Sequence, residues 1–236
     1  TLPMIIGSLL QQCYNIADTL IVGQCIGSGA LAAVGSAYTL MVFLISILLG
    51  LSMGSGTVFS LQYGAGRMKA LRRSIYVSAV LIGTVTIVLN IAALSFIHPI
   101  LKLLQIPDDI YQMMYDYLWI IFWGIGFTFI YNFYAALLRA IGNAVTPLYF
   151  LAISVVLNIG LDLFFILLLD WGIKGAAIAT IIAQGVSALG IMGYTYAKCP
   201  ELRLHRNDLH FDRHCLKEIT SFSTLTCIQP VSYTHL

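Results

Sequence analysis

Six apolar stretches, each long enough to cross about 30 Å of hydrocarbon as a helix, run through this 236-residue chain. They cover Leu2 to Cys25, Tyr38 to Tyr63, Ser74 to Ile97, Tyr115 to Leu138, Pro147 to Leu169 and Ala176 to Ala197. Lipid offers the backbone no water, so such a span must close its own hydrogen bonds as a helix. The composition agrees: 59% of the residues are hydrophobic and 9% charged, against roughly 25% charged in a soluble domain. The expected fold class is therefore an all-α membrane protein, a six-transmembrane-helix bundle. Turn-rich pieces at Gly27-Ser28-Gly29, Tyr63 to Arg67, Ile106 to Asp109, Gly142 to Pro147 and Asp170-Trp171-Gly172 predict short hairpin connections.

Lys and Arg are retained on the cytoplasmic side of short loops. Ten of the twelve, among them Arg67, Lys69, Arg72, Arg73, Arg139 and Lys198, fall in alternate connections, and only Lys102 and Lys174 fall opposite. The first span then runs outward from the cytoplasm. The formal charge of +2 sets topology and implies no nucleic-acid partner. The expected domains are a transmembrane lobe over residues 1–197, a cytoplasmic linker over 198–218 and a truncated seventh span over 219–236. Pro230 to Leu236 interrupts that last span and reads as foreign to it. The expected location is the bacterial plasma (inner) membrane.

Asp18 and Asp162 stand deep inside the first and fifth spans, each fifteen residues after a proline, Pro3 and Pro147. A carboxylate at membrane depth costs roughly 2.5–3.5 kcal/mol on insertion scales, so it faces a protein interior or wet cavity and handles ions, protons or substrate. Both helices run outward, so the shared offset puts both carboxylates roughly 22 Å along their axes. Thr180, on the returning sixth span, reaches the same level. Tyr14 precedes Asp18 by four residues and Asn158 precedes Asp162 by four, which places each polar partner one turn away on the same helical face. Asn132 adds an amide in the fourth span. Carboxylates, amide oxygens, a hydroxyl and a phenol suit a hard cation, and the carboxylates alone can hold a proton. Two adjacent carboxylates in a low dielectric should not both stay ionised, so cation or proton binding would remove their repulsion and bias one conformation over another.

Plainer readings compete. A single Asn, Thr or Tyr in a membrane helix commonly serves as a packing hydrogen bond, and Gly50 and Gly54 fit close helix approach. The five cysteines show no CxxC spacing. Cys199, His205, His210, His214 and Cys215 crowd one loop but match no structural zinc pattern, so no metal is expected beyond Na⁺ at the carboxylates.

Gln11 to Thr19 with Val22-Gly23, Leu138 to Asn143 with Thr146-Pro147, and Leu157 to Asp162 together resemble the multidrug and toxic compound extrusion (MATE) transporters. The resemblance runs from about Leu2 to Thr226. It implies a twelve-helix fold in two six-helix lobes, of which this chain is similar to the N-terminal lobe plus linker, with the C-terminal lobe missing. It implies a cation-coupling site at Asp18, Asn158, Asp162 and Thr180, with Tyr14 and Asn132 as associated polar cavity residues and a helix bend near Pro3. The implied activity is antiport: cationic or amphipathic compounds leave while H⁺ or Na⁺ moves in, with no cofactor and no enzymatic step. Membrane lipid and small-molecule organic cations are the implied partners. Inward movement of one positive charge supplies about 2.3 kcal/mol per 100 mV, and no phosphate-cradling glycine loop is present. A lipid-linked glycan flippase would want a basic cavity, and the interiors of these spans contain no Lys or Arg. An intramembrane aspartyl protease would want Gly-x-Gly-Asp where this chain has Ile159-Gly160-Leu161-Asp162.

Overall fold

The computed structural model describes residues 2–204 and 215–223, except for the side chains of residues 2–4 and 8. The described residues form helices and turns with no strand among them. In chain order they are α1 (Leu2–Cys25), α2 (Ser28–Gly64), α3 (Met68–Ser95), α4 (Ile97–Leu103), α5 (Asp108–Trp123), α6 (Ile125–Ala140), α7 (Val145–Leu163) continued by a π-helical turn (Phe164–Leu168), and α8 (Gly172–Lys198). A short 3₁₀ turn (Pro200–Leu202) follows, and residues 215–223 form α9.

By length and composition, α2, α3, α7 with its π turn, and α8 can each cross a membrane, and α5 with α6 makes a fifth span bent by 45°. At 24 residues α1 has the length, but Gln11, Gln12, Asn15 and Asp18 make it more polar than its neighbours. The bundle has α8 at its centre, packed against α5, α6 and α7, while α1 lies on α7. Ala176, Ala177, Ala179, Ala183 and Ala188 of α8 are all fully buried, since small residues let neighbouring backbones approach closely where lipid gives no hydrophobic drive. Large apolar side chains such as Phe43, Ile87, Ile91 and Val156 remain exposed on the perimeter, as a lipid-facing or lobe-facing surface requires.

The structure departs from the sequence expectation at several helix boundaries, three of them at packing contacts. The second span starts at Ser28 rather than Tyr38, because Ala30, Ala33, Val34 and Ala37 form a buried stripe at helical spacing and dock α2 on α5. The expected single span Tyr115 to Leu138 is two helices, interrupted at Gly124. A Cβ at Gly124 would lie 2.9 Å from Ile181 Cγ1 and 3.1 Å from Ile121 O, so only glycine lets α8 come this close to the break. The Asn90 side-chain amide of α3 donates to Phe122 O, one of the carbonyls released there. Asn90→Leu is expected to orphan that carbonyl and cost about 1–3 kcal/mol, read as a lower thermal midpoint in detergent. An unchanged midpoint would mean that packing alone holds the break. The third boundary is the start expected at Ile219, which falls inside α9, already helical at Cys215. Residues 205–214 and 224–236, with the three candidate zinc histidines and the foreign-looking tail, lie outside the described residues.

Tight turns hold neighbouring spans antiparallel. Gly142, at φ 88°, takes a backbone conformation that side-chain-bearing residues rarely adopt, and it reverses the chain between α6 and α7. One residue later Asn143 Oδ1 accepts from the Thr146 N–H at 3.1 Å, satisfying a free donor at the start of α7. At the far side of α2, α9 packs through Cys215 and Ile219 onto Val58 and Val77. Ser223 Oγ reaches Leu51 O at 3.5 Å, and Cys215 Sγ lies 3.1 Å from Ser74 Oγ.

Candidate functional site

Helices α1, α7 and α8 converge, and each brings polar side chains to the junction. On α1 the four-residue spacing points Tyr14 and Asp18 the same way, and on α7 it does so for Asn158 and Asp162. Asn158 and Asp162 are 0% exposed, Thr180 7% and Asp18 8%. Thr180 Oγ1 joins the three helices: it accepts from Tyr14 OH at 3.3 Å and from Asn158 Nδ2 at 3.4 Å. These bonds bring Tyr14, Asn158 and Thr180 together, with Asp18 and Asp162 one turn along from Tyr14 and Asn158 on the same helix faces.

The acceptors at this junction outnumber its donors. Asp18 Oδ1, Asn158 Oδ1 and both carboxyl oxygens of Asp162 are buried without a hydrogen-bond partner. Buried polar atoms are nearly always paired, and each exception asks for a reason. Four acceptor oxygens on two acids and an amide, ringed by a hydroxyl and a phenol, fit a small hard cation or a proton. The π-helical turn begins at Phe164, directly after this site. It loosens the helix where the carboxylate is presented, as π turns often do at functional positions.

Tyr117 belongs to this neighbourhood and was not among the expected site residues. It is buried and lies within electrostatic reach of Asp18, Tyr14 and Asp162. Its sequence signal is one phenol among thirteen tyrosines. The break at Gly124 also defeats any register counted through the fourth span.

Asn132 is placed elsewhere. Its side-chain amide donates back to Thr128 O at 2.8 Å, and it lines a cavity of about 380 Å³ with Gln11, Gln12, Tyr131, Arg139 and Leu148. None of the four cation-coupling candidates lines that cavity. Pro3 occupies the first turn of α1, with its side chain outside the described residues. Among the described residues no cluster of three or more His, Cys, Asp or Glu side chains could hold a metal ion, and Cys199 and Cys215 form no disulfide.

A helical membrane bundle with buried acids at its centre is the layout of a membrane transporter lobe. Known proteins give that class a family. The MatE family model matches residues 3–164. The chain is 35% identical over 189 residues to the probable multidrug resistance protein YpnP of Bacillus subtilis (strain 168), covering 80% of this chain and 42% of that protein. It is 30% identical over 215 residues to the probable multidrug resistance protein YoeA of the same organism, covering 89% and 45%. A solved structure of a MATE protein in the bent conformation superposes with a TM-score of 0.91 at 25% identity, covering 98% of this chain and 51% of that one. The chain belongs to the MATE family of membrane transporters. It spans under half the length of the curated relatives it matches and corresponds to one lobe of the two-lobe fold.

Proposed function

We propose that this lobe serves secondary active efflux, in which cationic or amphipathic toxic compounds leave the cell as H⁺ or Na⁺ moves inward through Asp18, Asn158, Asp162 and Thr180. The observation that carries this reading is the set of four buried, unpartnered acceptor oxygens on Asp18, Asn158 and Asp162. A cation or proton arriving there meets two acids that would repel each other once ionised, and its charge offsets that repulsion. Binding therefore draws α1 toward α7, and release lets them part. That differential affinity for two arrangements is what a coupling ion must supply. The names of the Bacillus relatives support the drug-efflux half of the proposal.

In the same reading the protein works without a cofactor and makes or breaks no covalent bond. It resides in the bacterial inner membrane and needs the second lobe to complete a substrate path. The domain plan follows: residues 1–197 as the lobe, 198–218 as the linker and 219–236 as the start of the second lobe.

The test is dye efflux by the product of the complete gene in sealed vesicles, with pH and sodium gradients imposed separately. Efflux should follow one inward cation gradient and stop when an ionophore dissipates it. Efflux that persists at full rate with neither gradient would reject ion coupling.

A further inference from the structure

The open hollow between α1, α6 and α7, where Gln11, Gln12 and Arg139 are exposed, carries positive charge and amide donors and, among the described residues, no acid. Its volume is about 380 Å³, and its lining includes Arg139, Gln11, Gln12, Asn132 and Tyr131 but no Asp or Glu. Among the described residues Arg139 has no carboxylate partner. Part of its role is topological, since it sits in the last turn of α6 on the basic, cytoplasmic side, where a cation also meets the negative end of the helix dipole. That role does not require it to line a cavity.

The hydrogen-bonding capacity of the lining is unequal. Tyr131 OH already donates to Pro147 O at 2.9 Å, and one N–H of Asn132 is taken by Thr128 O. The donors left over are the guanidinium fork of Arg139, the amides of Gln11 and Gln12, and the second N–H of Asn132. Asn132 lies seven residues before Arg139, about 10 Å deeper along α6. The α6 donors therefore run from the cytoplasmic rim inward, the Gln11 and Gln12 amides come from α1, and Leu148 and Leu151 of α7 add apolar surface. An ammonium group here would meet a like charge with no acid to offset it, whereas a carboxylate, sulfonate or phosphate would meet a planar bidentate partner.

We propose that this cavity is a cytoplasmic-side substrate site for amphipathic compounds with an anionic head, with Arg139 as the residue that selects the head group. The proposal rests on the efflux reading and adds to its substrates amphiphiles that carry an acid, zwitterions included.

The test is equilibrium binding without any gradient, so that it stands apart from ion coupling. The complete gene product in phosphatidylcholine vesicles is titrated with fluorescein, an anionic xanthene dye, and with rhodamine 123, a cationic dye of similar ring system. Fluorescein should bind. Arg139→Gln should weaken it about tenfold, or about 1.4 kcal/mol, Arg139→Lys should weaken it less, and rhodamine 123 should not weaken with either. Three results would overturn the proposal. One is no fluorescein binding to the unsubstituted protein. Another is an equal loss for both dyes, which would mark Arg139 as structural. The last is fluorescein binding abolished when phosphatidylglycerol replaces phosphatidylcholine, which would assign the site to a lipid headgroup. If binding behaves as expected and gradient-driven efflux fails, the fault lies with the coupling reading alone.

Discussion

Asp162→Asn is expected to stop coupled efflux while leaving the protein folded. The Asp162 side chain is 0% exposed and both its oxygens lack a partner, so the substitution removes a charge and half of the acceptor capacity with almost no change in volume. A hydrogen bond or ion contact to a charged group contributes about 1.5–3 kcal/mol, which predicts a ten- to hundredfold drop in gradient-driven efflux. The stability effect has the opposite sign. A carboxylate ionised here is desolvated and faces a second acid, and the neutral amide removes both costs and offers a donor to the unpartnered Asn158 Oδ1. The unfolding midpoint in detergent should hold or rise. Efflux at the unsubstituted rate would remove Asp162 from the mechanism, and a collapsed midpoint would make it a structural residue.

Gly54→Leu should dislodge α9 from α2. A Cβ at Gly54 would lie 2.4 Å from Ser223 Oγ and 2.5 Å from Ser223 Cα. Part of that obstruction is backbone, so a side-chain rotation cannot clear it. A leucine there has to push α9 away, uncovering Val58, Val77 and Ile219 at an overpacking cost of about 1–3 kcal/mol. Cys215 reports the displacement, because its side chain is only 6% exposed and sits on α9. With the other four of the five cysteines changed to serine, maleimide labelling of Cys215 should accelerate at least ~10-fold, since labelling of a buried thiol tracks the population of the opened form. Unchanged labelling would mean that α9 does not rest on Gly54 in the membrane. The spacing of Gly50 and Gly54 suggested close packing. What packs there was not legible, because the partner lies 169 residues further along the chain.

The spans were readable because membrane helices advertise themselves over about twenty residues, and charge or glycine punctuated nearly every turn. The misreadings share a cause: sequence pattern stops where tertiary contact takes over. The apolar pattern of the second span begins at Tyr38, yet the small residues from Ser28 to Ala37 belong to α2 and carry a buried stripe. The fourth span looked continuous, yet Gly124 breaks it where α8 approaches and Asn90 caps a released carbonyl. The carboxylate cluster was visible because acids are rare in lipid and two helical spacings agreed. Tyr117 was hidden because a phenol in an apolar span is ordinary. Asn132 was assigned by its polarity, and its actual surroundings, with Arg139 and Gln11 beside it, depend on how α1, α6 and α7 assemble.

A double-substitution cycle on Asp18 and Asp162 most directly tests whether the two acids act as a single cation-binding unit. Gradient-driven efflux by the complete gene product is measured for Asp18→Asn, for Asp162→Asn and for the pair together. Groups that share a ligand are strongly non-additive, so the pair should be no slower than the worse single variant. Losses that multiply, or full activity in either single variant, would show that the two carboxylates do not hold a common ion.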